Sequence, residues 1–511
     1  MESGKHHIVI GGGISGATAA LLLAKHDHKV SLVEKSPRLC PTLRGFWKNG
    51  VYFDTGLHYT GELGKGGVLD TYFRYLGIDG LEPIPLDPLT FDTIRFSDGQ
   101  KVALPCGSAA LASALNDAFP KEQKAIETYL DNARQVFADS NFLNFSVAGV
   151  MQEMQNPLWH QSLEVFLSGL TDNENLKTVL SIHCLLHGVA PNEVPFLHHA
   201  RVSASYYRSA HTIAGGGKAL ADRMEQRLQE EGITLHCGKA ANRILFSPAG
   251  SITGVALADG TQLAGSNVVY TAHPHYLPDL LPDNALRPGY KKRLKELRES
   301  VSAYILFGAT HTLPAILQRK NLFLCQSGEP LSLAFAKERP PERGPFYVTA
   351  SHFAHSDALR GQPGSKESGT KIGVEAFAPG WLEGMDALAN STSRKRTDEY
   401  KQFKASTMNR FRDALLATCP ELEEIDFFDG ATPLTLRDYL HSPCGGMYGA
   451  AHTVDQFNPL PVTRIPELLL AGQAVVAPGI LGAVVSAFLA CSFIIGLEKL
   501  KGEVAAWHQD G

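Results

Sequence analysis

The sequence predicts an α/β protein in which a parallel-sheet domain is assembled from separated stretches of chain and carries an inserted α+β portion. Three observations predict this. A glycine-rich turn between two apolar runs stands near residue 10. Two later stretches again combine apolar strand-like runs with glycine turns and helices. The stretches between them carry hairpin signals and breakers instead. At 511 residues the chain has room for two or three domains with substantial cores.

The first element is the run Ile8–Gly16, IVIGGGISG, read as a strand and a tight turn. A helix follows over Ala17–Lys25 and a second strand over Lys29–Glu34. In the spacing Gly11-x-Gly13-x-x-Gly16, the first glycine makes the turn and the second lets backbone approach a pyrophosphate. The third lets helix and strand pack closely. The N-terminus of the helix offers free N–H groups and a positive dipole end. Glu34 stands eighteen residues past Gly16, where a carboxylate accepts hydrogen bonds from a ribose. This is a Rossmann-type dinucleotide site, and Ile14, Ser15 and Lys35 beside these groups are expected to belong to it.

Three stretches are assigned to that domain, 1–81, 205–278 and 447–511. The second opens with Gly215-Gly216-Gly217 before a helix over Lys218–Glu231. It continues with strands at Thr234–Cys237, Ile252–Ala258 and Asn267–Thr271. The third contains Leu468–Leu497, which has no charged residue. Gly472, Pro478, Gly479 and Gly482 interrupt it, so it reads as a buried strand (Leu468–Ala471), a loop and an apolar helix from Gly479, not a membrane span.

The inserted portion comprises 82–204 and 279–446. It opens with the hairpin FDTIRF–SDG–QKVALP and turns helical, increasingly apolar over Ser162–Val189. After a basic helix (Tyr290–Glu299), strands are expected at Ser302–Phe307, Asn321–Cys325, Leu331–Phe335, Phe346–Ala350 and Lys371–Phe377. Linkers such as ERPPERGP and RGQPGSKESG separate them, which predicts a mostly antiparallel sheet. A helical stretch over Ser393–Thr418 precedes the return to the first domain.

Composition narrows the partners. A net charge of −5 with 19% charged residues argues against nucleic acid. Eight scattered cysteines with no CxxC predict reduced, mostly buried thiols in a cytoplasmic protein. No signal peptide is expected ahead of a strand that begins so near Met1. The helix Lys291–Glu299 offers either a solvated face or a peripheral contact with an anionic membrane surface. His183 and His187 have helical i, i+4 spacing but apolar neighbours and no accompanying acid. They are read as core or tunnel lining, and no metal site is expected.

Further motifs point to a family. These are Gly50-Val-Tyr-Phe-Asp54-Thr-Gly56-Leu-His58-Tyr-Thr-Gly61, Ser442-Pro-Cys-Gly-Gly-Met-Tyr448-Gly449, and Ala471-Gly472-Gln473 with Pro478-Gly479-Ile480-Leu-Gly482. Together they resemble the phytoene desaturase-like flavoproteins, in particular the retinol saturase and carotenoid isomerase branch. The resemblance implies a glutathione-reductase-like FAD domain with an inserted substrate domain enclosing an apolar tunnel. FAD is then the cofactor and an apolar polyene the substrate, with saturation favoured over desaturation or isomerisation. It also implies that Gly11, Gly13 and Gly16 face the pyrophosphate and Glu34 the ribose. Gly56, Gly472, Gln473, Gly479 and Ile480 would follow the rest of the cofactor. Asp54, His58 and Tyr448 are the candidate catalytic side chains, against plainer roles as a turn cap, an interior histidine and a core aromatic. The chain departs from the family pattern at Cys40-Pro41, where a glycine pair is usual, and at Ala474, near a usual acid. A flavin amine oxidase and a lipid-binding protein without FAD are the rival classes.

Overall fold

In a computed structural model, which describes residues 5–145, 157–351, 371–385, 388 and 395–509, His6–Ile10 is the central strand of a five-stranded parallel sheet. The strand order is Thr234–Cys237, Lys29–Glu34, His6–Ile10, Asn267–Tyr270 and Leu468–Leu470. The register pairs Ile8 with Ser31 on one side and Val268 on the other, and Val268 with Leu468. The inner strands are buried on both faces, which explains why they are mostly apolar, Ser31, His7 and the strand-end Glu34 being the buried polar exceptions.

Alternation divides those faces. Val9, Leu32 and Val269 join a helical layer containing Leu21, Leu228, Val484 and Phe488. Ile8, Ile10, Val33 and Val268 pack on the opposite side with Ile244, Val255 and Leu257 of a three-stranded antiparallel sheet, Ala241–Phe246, Ile252–Leu257 and Gln262–Ala264. In the helical layer, Ile14–Lys25 packs on Gly479–Ile495 and on Gly216–Glu230. The helix after the glycine turn thus begins at Ile14, three residues earlier than predicted, because the turn itself supplies the first helical N–H groups. The uncharged C-terminal segment is the buried strand–loop–helix expected. Among the described residues no helix is long and apolar enough to cross a membrane.

A second, seven-stranded sheet has the order Asp426–Ala431, Ser302–Thr310, Ile372–Gly380, Phe346–Ala350, Asn321–Cys325, Asp92–Phe96, Lys101–Leu104. It is antiparallel throughout except where Asn321–Cys325 meets Asp92–Phe96. Leu322, Leu324, Val348, Val374 and Ala376 bury one face with Phe411 and Leu415 of helix Asp398–Thr418. The other face, with Ile94, Phe323 and Tyr347, packs on helices between Ser108 and Arg208.

Two predicted elements differ. Leu331–Phe335 is a 3₁₀ turn, not a strand; it follows Pro330 and buries Leu331, Ala334 and Phe335 without a pairing partner. The basic helix spans Pro288–Lys295 and stops short of Glu299, because from Leu297 the chain dips inward. Leu294 and Leu297 bury in the cluster beneath the parallel sheet. The linker at 360–369 and the start of the 393–418 stretch lie outside the described residues. All eight cysteines are free, with only Cys444 exposed.

Candidate functional site

The carboxyl ends of the parallel strands converge on one edge, and most of the predicted cofactor residues stand there. Glu34, almost fully buried, accepts hydrogen bonds from the Gly12 N–H at 2.6 Å and the Ser36 N–H at 2.7 Å. Its carboxylate therefore fixes the glycine turn. Thr271, at the end of the next strand, donates to the carbonyls of Ile10 and Gly11. A Cβ on Gly472 would lie 3.2 Å from the Thr271 carbonyl, so this threonine joins the first and last glycine turns. The Gly472 N–H donates to buried Ser486 Oγ at 2.9 Å, which ties that turn to helix Gly479–Ile495.

The glycines divide into two kinds. A Cβ on Gly16 would collide with the Gly11 carbonyl, and on Gly12 with Leu39 and Glu34. A Cβ on Gly13 or Gly479 meets nothing within 4 Å. Gly13 caps helix Ile14–Lys25 and Gly479 begins its own helix, neither having a side-chain cap. Ser15 Oγ, buried in that first turn, has no hydrogen-bond partner among the described residues. Open space at two uncapped helix N-termini, with an orphaned hydroxyl beside one, fits a phosphate-bearing dinucleotide. Ile14 and Ile480 are buried beside these turns, whereas Lys35 is exposed. Gly56 packs against the Thr42 carbonyl, and the Gln473 carbonyl accepts from His452 Nε2 at 2.8 Å.

The departures from the family pattern have local explanations. Cys40 is fully buried in the left-handed conformation that glycine adopts without strain, and its N–H donates to Gly12 O at 2.8 Å. Burial pushes its thiol up to about 12. Ala474 is buried, and its carbonyl accepts from Asn458.

Asp54 and His58 stand where the stretch after Cys40 meets the seven-stranded sheet. The Asp54 carboxylate accepts from the Gly217 N–H at 3.0 Å and the Ser351 hydroxyl at 3.4 Å, capping helix Gly216–Glu230. Burial pushes its pKa up to about 7 against the pull of those two hydrogen bonds. His58 Nδ1 lies 3.6 Å from Glu375 Oε2, and its ring meets Phe377 edge-on at 5.3 Å. Burial, and then the nearby Asp54 charge, hold Glu375 well above the usual carboxylate range. Glu375 was missed in the sequence, although it is the one charged residue inside the apolar run IGVEAFA. Alternation turns it, with Phe377, away from the face buried by Val374 and Ala376.

Tyr448 lies on a different wall. Its N–H donates to Ser300 Oγ at 2.9 Å and its hydroxyl reaches Leu185 O at 3.5 Å. The turn carrying it is organised by Glu299, which accepts from Ser442 Oγ and from the N–H groups of Cys444 and Gly446. A buried network was also invisible in the sequence. Asp92 accepts from Tyr59 at 2.9 Å and Asn321 at 2.8 Å and lies 3.3 Å from His183 Nε2, which leaves His183 apart from His187.

A family model for an NAD(P)-binding Rossmann-like domain matches residues 9–76. The chain is 27% identical over 530 residues to the all-trans-retinol 13,14-reductase of Homo sapiens, covering 96% of this chain and 85% of that one. It is 25% identical over 327 residues to a 4,4'-diapophytoene desaturase (4,4'-diaponeurosporene-forming) of Staphylococcus haemolyticus, covering 58% of this chain and 62% of that one. The chain is a homologue of the retinol reductases and diapophytoene desaturases. As such a homologue it shares its overall fold with an oxidoreductase of Methanosarcina mazei, with a TM-score of 0.65 at 15% identity over 94% of this chain and 98% of that one.

Proposed function

We propose that this protein is an FAD-dependent oxidoreductase that reduces a carbon–carbon double bond of an apolar polyene, retinol being the first substrate to test. The single observation that carries the reading is the pairing of an open dinucleotide cradle with His58 set against a buried Glu375, in a chain homologous to retinol reductases along nearly its whole length. Residues 1–81, 205–278 and 447–511 hold the cofactor in a glutathione-reductase-like arrangement, and 82–204 and 279–446 hold the substrate. Bound FAD would supply the hydride of the reduction.

The protein's own residues bind, orient and handle the proton. Gly13, Ser15 and the free N–H groups of the first helix hold the pyrophosphate, and Glu34 the ribose. The N-terminus of helix Gly479–Ile495 faces the rest of the cofactor and favours negative charge there. His58, whose side chain is 16% exposed, is the member of the pair that meets substrate. Glu375 behind it, held well above the usual carboxylate range by burial, holds the proton destined for the second carbon. Phe377 and Tyr347 flank His58 and keep water from the reacting bond. Asp54 positions this segment by capping helix Gly216–Glu230, and Tyr448 lines the substrate side.

The test is to purify the protein, release and identify its pigment, and incubate the reduced protein anaerobically with all-trans-retinol. The expected result is FAD and a product heavier by one hydride and one proton. A colourless protein that takes up no FAD overturns the cofactor assignment. A flavoprotein that leaves retinol and longer polyenes unchanged overturns the substrate assignment.

A further inference from the structure

Among the helices between Glu174 and Arg208, the side chains of Cys184, His187 and His199 converge. All three are buried, and Sγ, Nε2 and Nδ1 lie within 4.8 Å of one another. Cys184 and His187 begin and end a single helical turn, so they project from one side of it. His199 comes from the facing helix Phe196–Arg208.

The protonation of His199 is set by its surroundings. Its Nε2 lies 2.9 Å from the Leu180 carbonyl, which can only accept, and 3.0 Å and 3.2 Å from the Ser203 and Tyr129 hydroxyls, which can accept as well, so a ring proton on Nε2 serves all three. Nδ1 is left with one lone pair, and this faces both His187 Nε2 at 3.2 Å and Cys184 Sγ at 3.7 Å. As hydrogen bonds, two donors compete for a single acceptor. As ligands, the two distances to His199 Nδ1 are those of a coordination polyhedron, and all three atoms lie within 4.8 Å. Metal–nitrogen bonds near 2.05 Å and a metal–sulfur bond near 2.3 Å give tetrahedral edges of about 3.3 Å between nitrogens and about 3.6 Å from nitrogen to sulfur. The backbone carbonyl on the far nitrogen of His199 is the kind of outer partner that orients a metal-bound imidazole.

We propose that Cys184, His187 and His199 bind one thiophilic d10 cation, zinc or cuprous copper, which clips the Cys184–His187 turn to helix Phe196–Arg208. Binding displaces the Cys184 thiol proton to solvent and forms one metal–sulfur and two metal–nitrogen bonds, with no change in oxidation state. The carboxylate of the buried network, Asp92, is engaged by Tyr59, Asn321 and His183 and is not among the converging ligands, so the thiolate is the anion of the site. Cuprous copper would make the cluster neutral and zinc would leave it with one positive charge.

The experiment uses the intact protein with its cofactor. Metal content is measured as purified, then after chelation and separate reloading with zinc, or with cuprous copper under anaerobic reducing conditions. X-ray absorption at the metal edge then reports the ligands. The expected result is about one equivalent per chain of one of the two ions, bound by one sulfur and two imidazole nitrogens, with uptake reduced at least about tenfold in Cys184→Ser. His199→Gln is the second variant should Cys184→Ser misfold, and flavin content with circular dichroism monitors folding in both. Uptake by the intact protein below about one tenth of an equivalent of either ion overturns the proposal. So does a bound metal whose spectrum lacks sulfur, or a stoichiometry unchanged in a folded variant.

Discussion

The two large sheets handle polar chemistry in opposite ways. The five-stranded parallel sheet is mostly apolar through its inner strands, Ser31 and His7 excepted, and displays Glu34 and backbone N–H groups at the strand ends. The seven-stranded sheet buries Asp92, Asn321, Thr349 and Glu375 within its strands and satisfies most of them through side chains from remote segments. A charged, repetitive group such as a pyrophosphate is held by local backbone, so a short motif suffices. An apolar lipid offers no such handle. On our reading, the groups that act on it are set in a dry wall, where only the fold brings them together.

Two glycine substitutions test the first half of this contrast. Gly16→Val drives a side chain into the Gly11 carbonyl and is expected to cost about 3 kcal/mol or more, seen as loss of soluble, folded protein. Gly13→Val meets open space, so its melting temperature should stay near wild type while bound flavin is lost. A Gly13→Val protein that keeps full flavin would break the contrast.

The second half predicts damage from single side chains. Asp92→Ala strands Tyr59 and Asn321 and leaves a cavity, for about 3 kcal/mol in urea denaturation. Glu375→Gln is nearly isosteric with the neutral acid. It should leave flavin content and stability close to wild type while slowing polyene reduction about 100-fold under single-turnover conditions. Equal rates would remove Glu375 from the proton path.

A pH-dependent effect sharpens the junction between the sheets. The folded state holds the Asp54 proton to about pH 7, whereas the unfolded chain releases it near the ordinary 3.8. This contribution to stability is therefore full below about pH 4 and is lost as pH rises to about 7, by up to about 1.4 kcal/mol per pH unit. Asp54→Asn keeps an acceptor for Gly217 and should flatten that slope in denaturation measured across the window. The smallest effect is expected of Cys40→Gly, where relief of a left-handed backbone offsets lost burial. Stability should change by less than about 1 kcal/mol.

The parallel sheet, its glycine turn and the acid at the end of the second strand were legible in the chain's local pattern. Those features are local, and 3.6-residue and two-residue periodicities with glycine punctuation write them into short windows. The local pattern also carried the hairpin at Asp92–Leu104 and the division of Leu468–Leu497 into strand and helix, because breakers sit inside those runs. Only the packed fold shows that Glu375 stands behind His58, that Thr271 joins Gly11 to Gly472, and that His183 turns to Asp92 while His187 turns to His199. These contacts join residues up to some three hundred positions apart, and no spacing rule encodes them. A buried acid in an apolar strand is the nearest thing to a signal, since only the partners it meets in the fold make its burial tolerable.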